Sequence, residues 1–170
     1  MGVFGQSATG IHLGLLLVNL ASILLVFSIG KKLLNETQAL FAVAFFALLS
    51  LSPGAFGFAA HATHFNALFG LCGLLALLQY AERPSWFRLA GSAFCFGLAF
   101  VMKQQVVFLM LFGLLGFWLI ERRREPSERT KTPLRLVGYA AAMALPYGLV
   151  FLTALITGTL DKFWHWDYRA

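Results

Sequence analysis

The stretch IHLGLLLVNLASILLVFSIGKK, residues 11–32, decides the fold. No side chain from Ile11 to Gly30 carries a full charge, and then Lys31 and Lys32 close the run. A helix rises 1.5 Å per residue, so about 20 residues cross the ~30 Å hydrocarbon core of a bilayer. The apolar residues form a block rather than a stripe at amphipathic spacing, which is how a membrane helix reads. The same pattern recurs along the chain. Of 170 residues, 59% are hydrophobic, 18 are phenylalanine and only 12% are charged. Soluble domains carry roughly a quarter charged residues. The expected fold is all-α: a polytopic membrane helical bundle of about six transmembrane helices, forming one transmembrane domain over residues 1–170.

Applied to the whole chain, the same ruler gives six apolar segments. They run from Ile11 to Gly30, Ala39 to about Phe58, His64 to Tyr80, Leu89 to Met102, Val106 to Ile120, and Leu136 to Thr157. Pro53 and Gly54 should end or kink the second, and Pro146 should kink the sixth. Segments four and five are short and joined only by KQQ, so a tight or partly re-entrant turn is expected there. Alternation over six spans sorts the thirteen basic residues. Lys31, Lys32, Arg83, Arg88, Arg122, Arg123, Arg124, Arg129, Lys131 and Arg135 fall on one side, and Lys103, Lys162 and Arg169 on the other. The positive-inside rule makes the first side cytoplasmic. The loop ERRREPSERTKTPLR, residues 121–135, weighs most in that vote. It reads as a solvated connector that touches anionic lipid head groups.

The net charge of +6 therefore belongs to membrane topology, and no nucleic-acid partner is expected. Cys72 and Cys95 lie inside apolar blocks and read as small packing residues, not as a disulfide framework or a thiolate zinc site. The opening MGVFGQSATG has no basic start, no long apolar core and no cleavage site, so no signal peptide is read there. The sequon NET at Asn35 falls on the cytoplasmic side and is discounted as a glycosylation site. Both chain ends come out external in this topology. The expectation is a piece of a larger protein, with at least one span upstream of Met1 and more chain after the external tail DKFWHWDYRA.

The polar residues gather at the external face. His12, His61, His64 and His165 are there, with Lys103, Gln104, Gln105, Asp161 and Asp167. Ionisable groups at membrane depth are functional candidates, since burying them costs several kcal/mol without partners or water. His61 and His64 share one face if helical. They could bind a divalent metal with a third group such as Asp161 or Asp167, hydrogen-bond backbone freed near Pro53 and Gly54, or contact a polar or phosphate-bearing substrate. Lys103 could snorkel to the interface or supply a point charge to a phosphate. Trp164, Trp166 and Tyr168 read as an interfacial belt or as platforms for a sugar or lipid.

The run from GQSATGIHLGLLLVNLASILLVFSIGKKLL through ALLSLSPGAFGFAAHATHFNALFGLCGLLALLQYAE to GSAFCFGLAFVMKQ resembles the membrane core of the C-type glycosyltransferases. It is most similar to the branch related to protein O-mannosyltransferases and the bacterial aminoarabinose transferase, with HATHF and GLAFVMKQ the most diagnostic motifs. The resemblance implies transfer of a sugar from a polyprenyl-phosphate carrier to an acceptor on the external face, in the plasma (inner) membrane of a bacterium. That chemistry must stabilise a leaving lipid phosphate and deprotonate an acceptor hydroxyl as an oxocarbenium-like centre develops. The site residues it implies are Lys103, His61, His64 and Gln104, at the donor phosphate or substrate. His61 and His64 stand where many members carry an acidic residue. The family's catalytic carboxylate lies in the first external loop, expected upstream of Met1, so no catalytic residue is assigned. No cofactor is fixed, a divalent metal remaining open. A transporter or flippase fragment, or a non-catalytic membrane remnant, is the rival reading. Against the transporter, no inverted repeat is seen and few polar residues fall at mid-membrane.

Overall fold

The structure, a computed structural model, describes residues 8–50 and 62–162. Seven α-helices appear among them: α1 (Ala8–Leu33), α2 (Glu36–Ser50), α3 (Ala62–Glu82), α4 (Trp86–Met102), α5 (Val107–Arg122), the single turn α6 (Pro126–Arg129) and α7 (Thr132–Ile156). No strand occurs among the described residues. The all-α membrane bundle expected from the sequence is what the chain forms. Three helices, α1, α3 and α7, are long and apolar enough to cross a membrane, while α2 and α4 are shorter apolar helices. The helices overrun the apolar blocks at their polar ends. The third block, read as starting at His64, begins at Ala62 and reaches Glu82, because backbone hydrogen bonding continues where hydropathy stops.

Local chemistry explains the turns. Asn35 caps α2: its Oδ1 accepts from the Gln38 amide at 2.9 Å, and Gln38 Oε1 accepts from the Asn35 amide at 3.4 Å. That reciprocal pair is a capping box, so the sequon asparagine serves a helix start. The α1–α2 turn is tight enough that a Cβ on Gly30 would lie 2.8 Å from Ala39 Cβ. Arg88 Nη1 closes the α3–α4 turn by donating to the carbonyls of Arg83 at 2.7 Å and Gln79 at 3.4 Å. Between α4 and α5 the KQQ stretch forms the expected tight turn. Lys103 is extended (φ −160°, ψ 116°) and Gln104–Val106 make one turn of 3-10 helix.

Helices adjacent in sequence pack antiparallel, α2 on α1 and α4 on α3, while α1 on α3 and α4 on α7 run parallel, with α5 against α3 and α4. Small residues permit the close crossings, as membrane helix pairs require. A Cβ on Gly113 would lie 2.7 Å from the Phe96 ring, and one on Gly97 would lie 2.1 Å from the Met143 carbonyl oxygen. The core is Leu77, Tyr80, Leu89, Ala93, Phe96, Phe117, Tyr139 and Met143. Within it Phe117 stacks on Tyr139 at 4.9 Å and on Tyr80 at 6.4 Å. Outward faces are as apolar as the core: Phe45, Phe108 and Ile156 are all exposed, which suits a lipid solvent and no aqueous one. Helix α7 runs unbroken through Pro146. The Pro53–Gly54 break lies outside the described residues.

Candidate functional site

The bundle has two chemically different ends. At one end Lys32 Nζ meets Glu82 at 2.7 Å, which joins the C-terminal ends of α1 and α3. The same end holds the turn into α4, the end of α5 and the start of α7, tied together by Glu121. Ten of the thirteen basic residues belong to these loops, so the structure places together the loops that the charge count grouped.

Glu121 is a buried member of the loop 121–135 that the sequence reading did not anticipate. Its side chain is 1% exposed, and its two oxygens are fully engaged. Oε1 accepts from Tyr80 Oη at 2.8 Å and pairs with Arg124 Nε; Oε2 accepts from Thr132 Oγ1 at 2.8 Å and Arg135 Nη1 at 3.1 Å. Arg135 Nη2 continues to Glu128 at 2.5 Å, and Lys131 Nζ reaches Glu128 at 3.0 Å. The loop is thus an electrostatic cap built on one buried carboxylate, with most of its other residues exposed. Burial pushes the Glu121 carboxyl up, but the hydrogen bonds from Tyr80, Arg124, Thr132 and Arg135 outweigh it and hold it below the usual range. The Arg135 and Lys131 hydrogen bonds bring exposed Glu128 down to about 2.

The opposite end holds two of the residues singled out from sequence, Lys103 and His64. The α3–α4 hairpin sets their heights. Ser92 Oγ donates to the Gly73 carbonyl at 2.8 Å, and Phe96 faces Gly73. Counting along the antiparallel pair from these contacts puts Lys103 level with residues 62–66, within about one helical turn of His64 and Asn66. His64 is 7% exposed and its Nδ1 lies 3.0 Å from Asn19 Oδ1 on α1. With the amide oxygen as acceptor, Nδ1 donates, and the contact fixes the ring against α1. Asn66 is also 7% exposed, and its Oδ1 has no hydrogen-bond partner among the described residues. Beside His64 an open groove of about 210 Å³ runs between α2 and α3, lined by Phe46, Leu49, Ser50, Thr63 and Ala67. Lys103 is half-buried and its ammonium makes no ion pair or hydrogen bond among the described residues.

Other candidates are scattered or outside view. His61, His165, Asp167, Trp164, Trp166 and Tyr168 lie outside the described residues. Gln104 opens the 3-10 turn, but its side chain is outside the described part. His12 and Asp161 are exposed. Among the described residues no three His, Cys, Asp or Glu side chains cluster as metal ligands would. Asn19 and Asn66 were missed by the sequence reading. Their signal was there: each is a lone amide within an apolar run, where a polar group must find a partner.

An apolar helical bundle with a buried amide and a buried histidine toward one end, and an electrostatic cap at the other, is a polytopic membrane protein. The chain belongs to the dolichyl-phosphate-mannose-protein mannosyltransferase family, whose model matches residues 1–150. Its members are integral membrane glycosyltransferases that use polyprenyl-phosphate-sugar donors. Comparison with curated proteins and with solved structures found no match.

Proposed function

We propose that the end of the bundle carrying Lys103 and His64 binds the polyprenyl-phosphate-linked sugar donor, for transfer to an acceptor on the external face. The observation that carries this reading is the placement of Lys103. Its ammonium has no partner among the described residues and sits at the height of two nearly buried polar side chains, His64 and Asn66. A lysine at the interface is a compact point charge, suited to a phosphate that leaves with its negative charge. Family membership supports the donor class. His64, fixed by Asn19, would orient polar groups of the donor. The groove between α2 and α3 would receive apolar carbon next to them. His61 and Gln104 adjoin these residues in sequence and complete the proposed donor-binding set.

The test uses the chain reconstituted in bilayer discs, with binding of a short-chain polyprenyl phosphate followed by native mass spectrometry. Lys103→Gln removes a charge-assisted contact of about 1.5–3 kcal/mol, so binding should fall roughly 10- to 100-fold. Equal binding by wild type and Lys103→Gln would remove Lys103 from the donor site. Acceptor transfer is measured separately, in membranes, so loss of binding and loss of chemistry are not confused.

A further inference from the structure

The feature that the donor reading leaves unused is a cleft at the basic end, between the ends of α3 and α5. It has a volume of about 410 Å³ and is lined by Ala81, Ile120, Arg123, Arg124, Glu125 and Glu128. Arg124 is held in place on two sides: Nε pairs with Glu121, and the guanidinium lies 4.8 Å over the Tyr80 ring. Its Nη2 is nevertheless buried without a hydrogen-bond partner among the described residues. A buried guanidinium N–H without an acceptor is costly, and in native structures such groups find an anion or water. Arg123 beside it is exposed, and its side chain makes no hydrogen bond or ion pair among the described residues.

The acidic lining does not cancel these charges. Glu128 is already engaged by Arg135 and Lys131, which leaves Glu125 as the one carboxylate without such a partner in the lining. Across the whole end, ten lysines and arginines face five glutamates. The surroundings also mark a membrane depth. Trp86, Phe87 and Trp118 are exposed on the same end, as aromatic side chains at the level of lipid head groups are. Arg122 lies 4.5 Å over the Trp118 ring, so its charge stays near the cleft without being neutralised. Ala81 and Ile120 give the cleft an apolar floor.

We infer that this cleft binds a phosphate-bearing anion through Arg123 and Arg124, either the phosphodiester of an anionic phospholipid head group or a free phosphate ester. The planar guanidinium fork matches a phosphate in a way a lysine does not. The site lies at the opposite end from Lys103 and stands independently of the donor reading.

The full chain is purified from bilayers of phosphatidylglycerol and phosphatidylcholine, and retained lipid is counted by native mass spectrometry. Phosphatidylglycerol should be retained in preference. Retention should fall about fivefold on losing the Arg123 charge, as expected for one cation near an anionic surface. Arg123→Gln removes an exposed side chain that makes no hydrogen bond or ion pair among the described residues, so it tests the site without threatening the cap. Arg124→Lys keeps the charge facing Glu121 but removes the fork, and should also reduce retention. Glycerol 3-phosphate at millimolar concentration separates the two sources. Displacement of the lipid assigns the site to soluble phosphate esters, and persistence assigns it to the head group. Equal retention of the two lipids, or unchanged retention in both variants, overturns the site.

Discussion

Gly97→Ala should do more damage than a methyl group added at the other described glycines whose surroundings are known. A Cβ at position 97 would lie 2.1 Å from the Met143 carbonyl oxygen and 3.1 Å from both Met143 C and Pro146 Cδ. Even close carbon–oxygen contacts sit at about 3.3–3.6 Å, so the two helices must separate by more than about 1 Å. Neither partner can yield by changing a rotamer, because the obstacle is backbone. Helix α4 cannot retreat either, since its Phe96 ring is already against Gly73 and Gly113 on the other side. Separation would open the packing of Ala93, Phe96, Tyr139 and Met143, all nearly or fully buried. Overpacking of this kind costs about 1–3 kcal/mol, and the backbone obstacle places it at the top of that range. In a chain of this size ~3 kcal/mol corresponds to a fall of about 6–12 °C in the thermal midpoint. The assay is thermal unfolding in detergent followed by size-exclusion recovery. Gly91→Ala and Gly148→Ala are the internal controls, because nothing lies within 4 Å of either added methyl. These should be neutral or gain up to about 1 kcal/mol from helix propensity. If Gly97→Ala melts with the two controls, the α4–α7 crossing described above is wrong.

The cap makes two further predictions. Glu121→Leu leaves Arg124, Arg135, Tyr80 and Thr132 facing a partner that is gone, and should cost about 3–5 kcal/mol; a thermal midpoint within 2 °C of wild type would refute the buried network. Because the carboxyls of Glu121 and Glu128 are held below their ordinary range, the stability they contribute is complete above the unfolded carboxylate range. For Glu128 it is lost as pH falls from about 4.5 toward about 2, and for Glu121 as pH falls below the ordinary carboxylate range. Amide exchange over residues 121–135 should accelerate across that window and stay flat from pH 6 to 9; acceleration above pH 6 would point to another group. At the other end, Asn19→Leu removes the acceptor for His64 Nδ1 and should cost about 1–3 kcal/mol. Histidine side-chain NMR would register the lost hydrogen bond, and an unchanged Nδ1–H resonance would exclude the pair.

Much of this protein was legible along the line of the sequence. Hydropathy anticipated α1, α3, α4, α5 and α7 to within a few residues, though not the single turn α6, and the placement of lysine and arginine anticipated which loops lie together. HATHF and GLAFVMKQ carried the resemblance that family membership bears out. What the line could not show were partnerships between distant residues. Asn19 and His64 are 45 positions apart, and Tyr80 and Glu121 are 41 apart. The loop 121–135 looked solvated because six cations among fifteen residues usually are.

Hydrophobicity and charge act on each residue against its solvent, so the amino-acid sequence alone determined that this chain is an all-helical membrane protein, with most of its cations grouped in one set of loops. A hydrogen bond or ion pair depends on which side chains the packing brings within about 3 Å. Only the tertiary structure could therefore decide that Glu121 is a buried hub, that Asn19 fixes His64, and that Arg124 has a donor to spare.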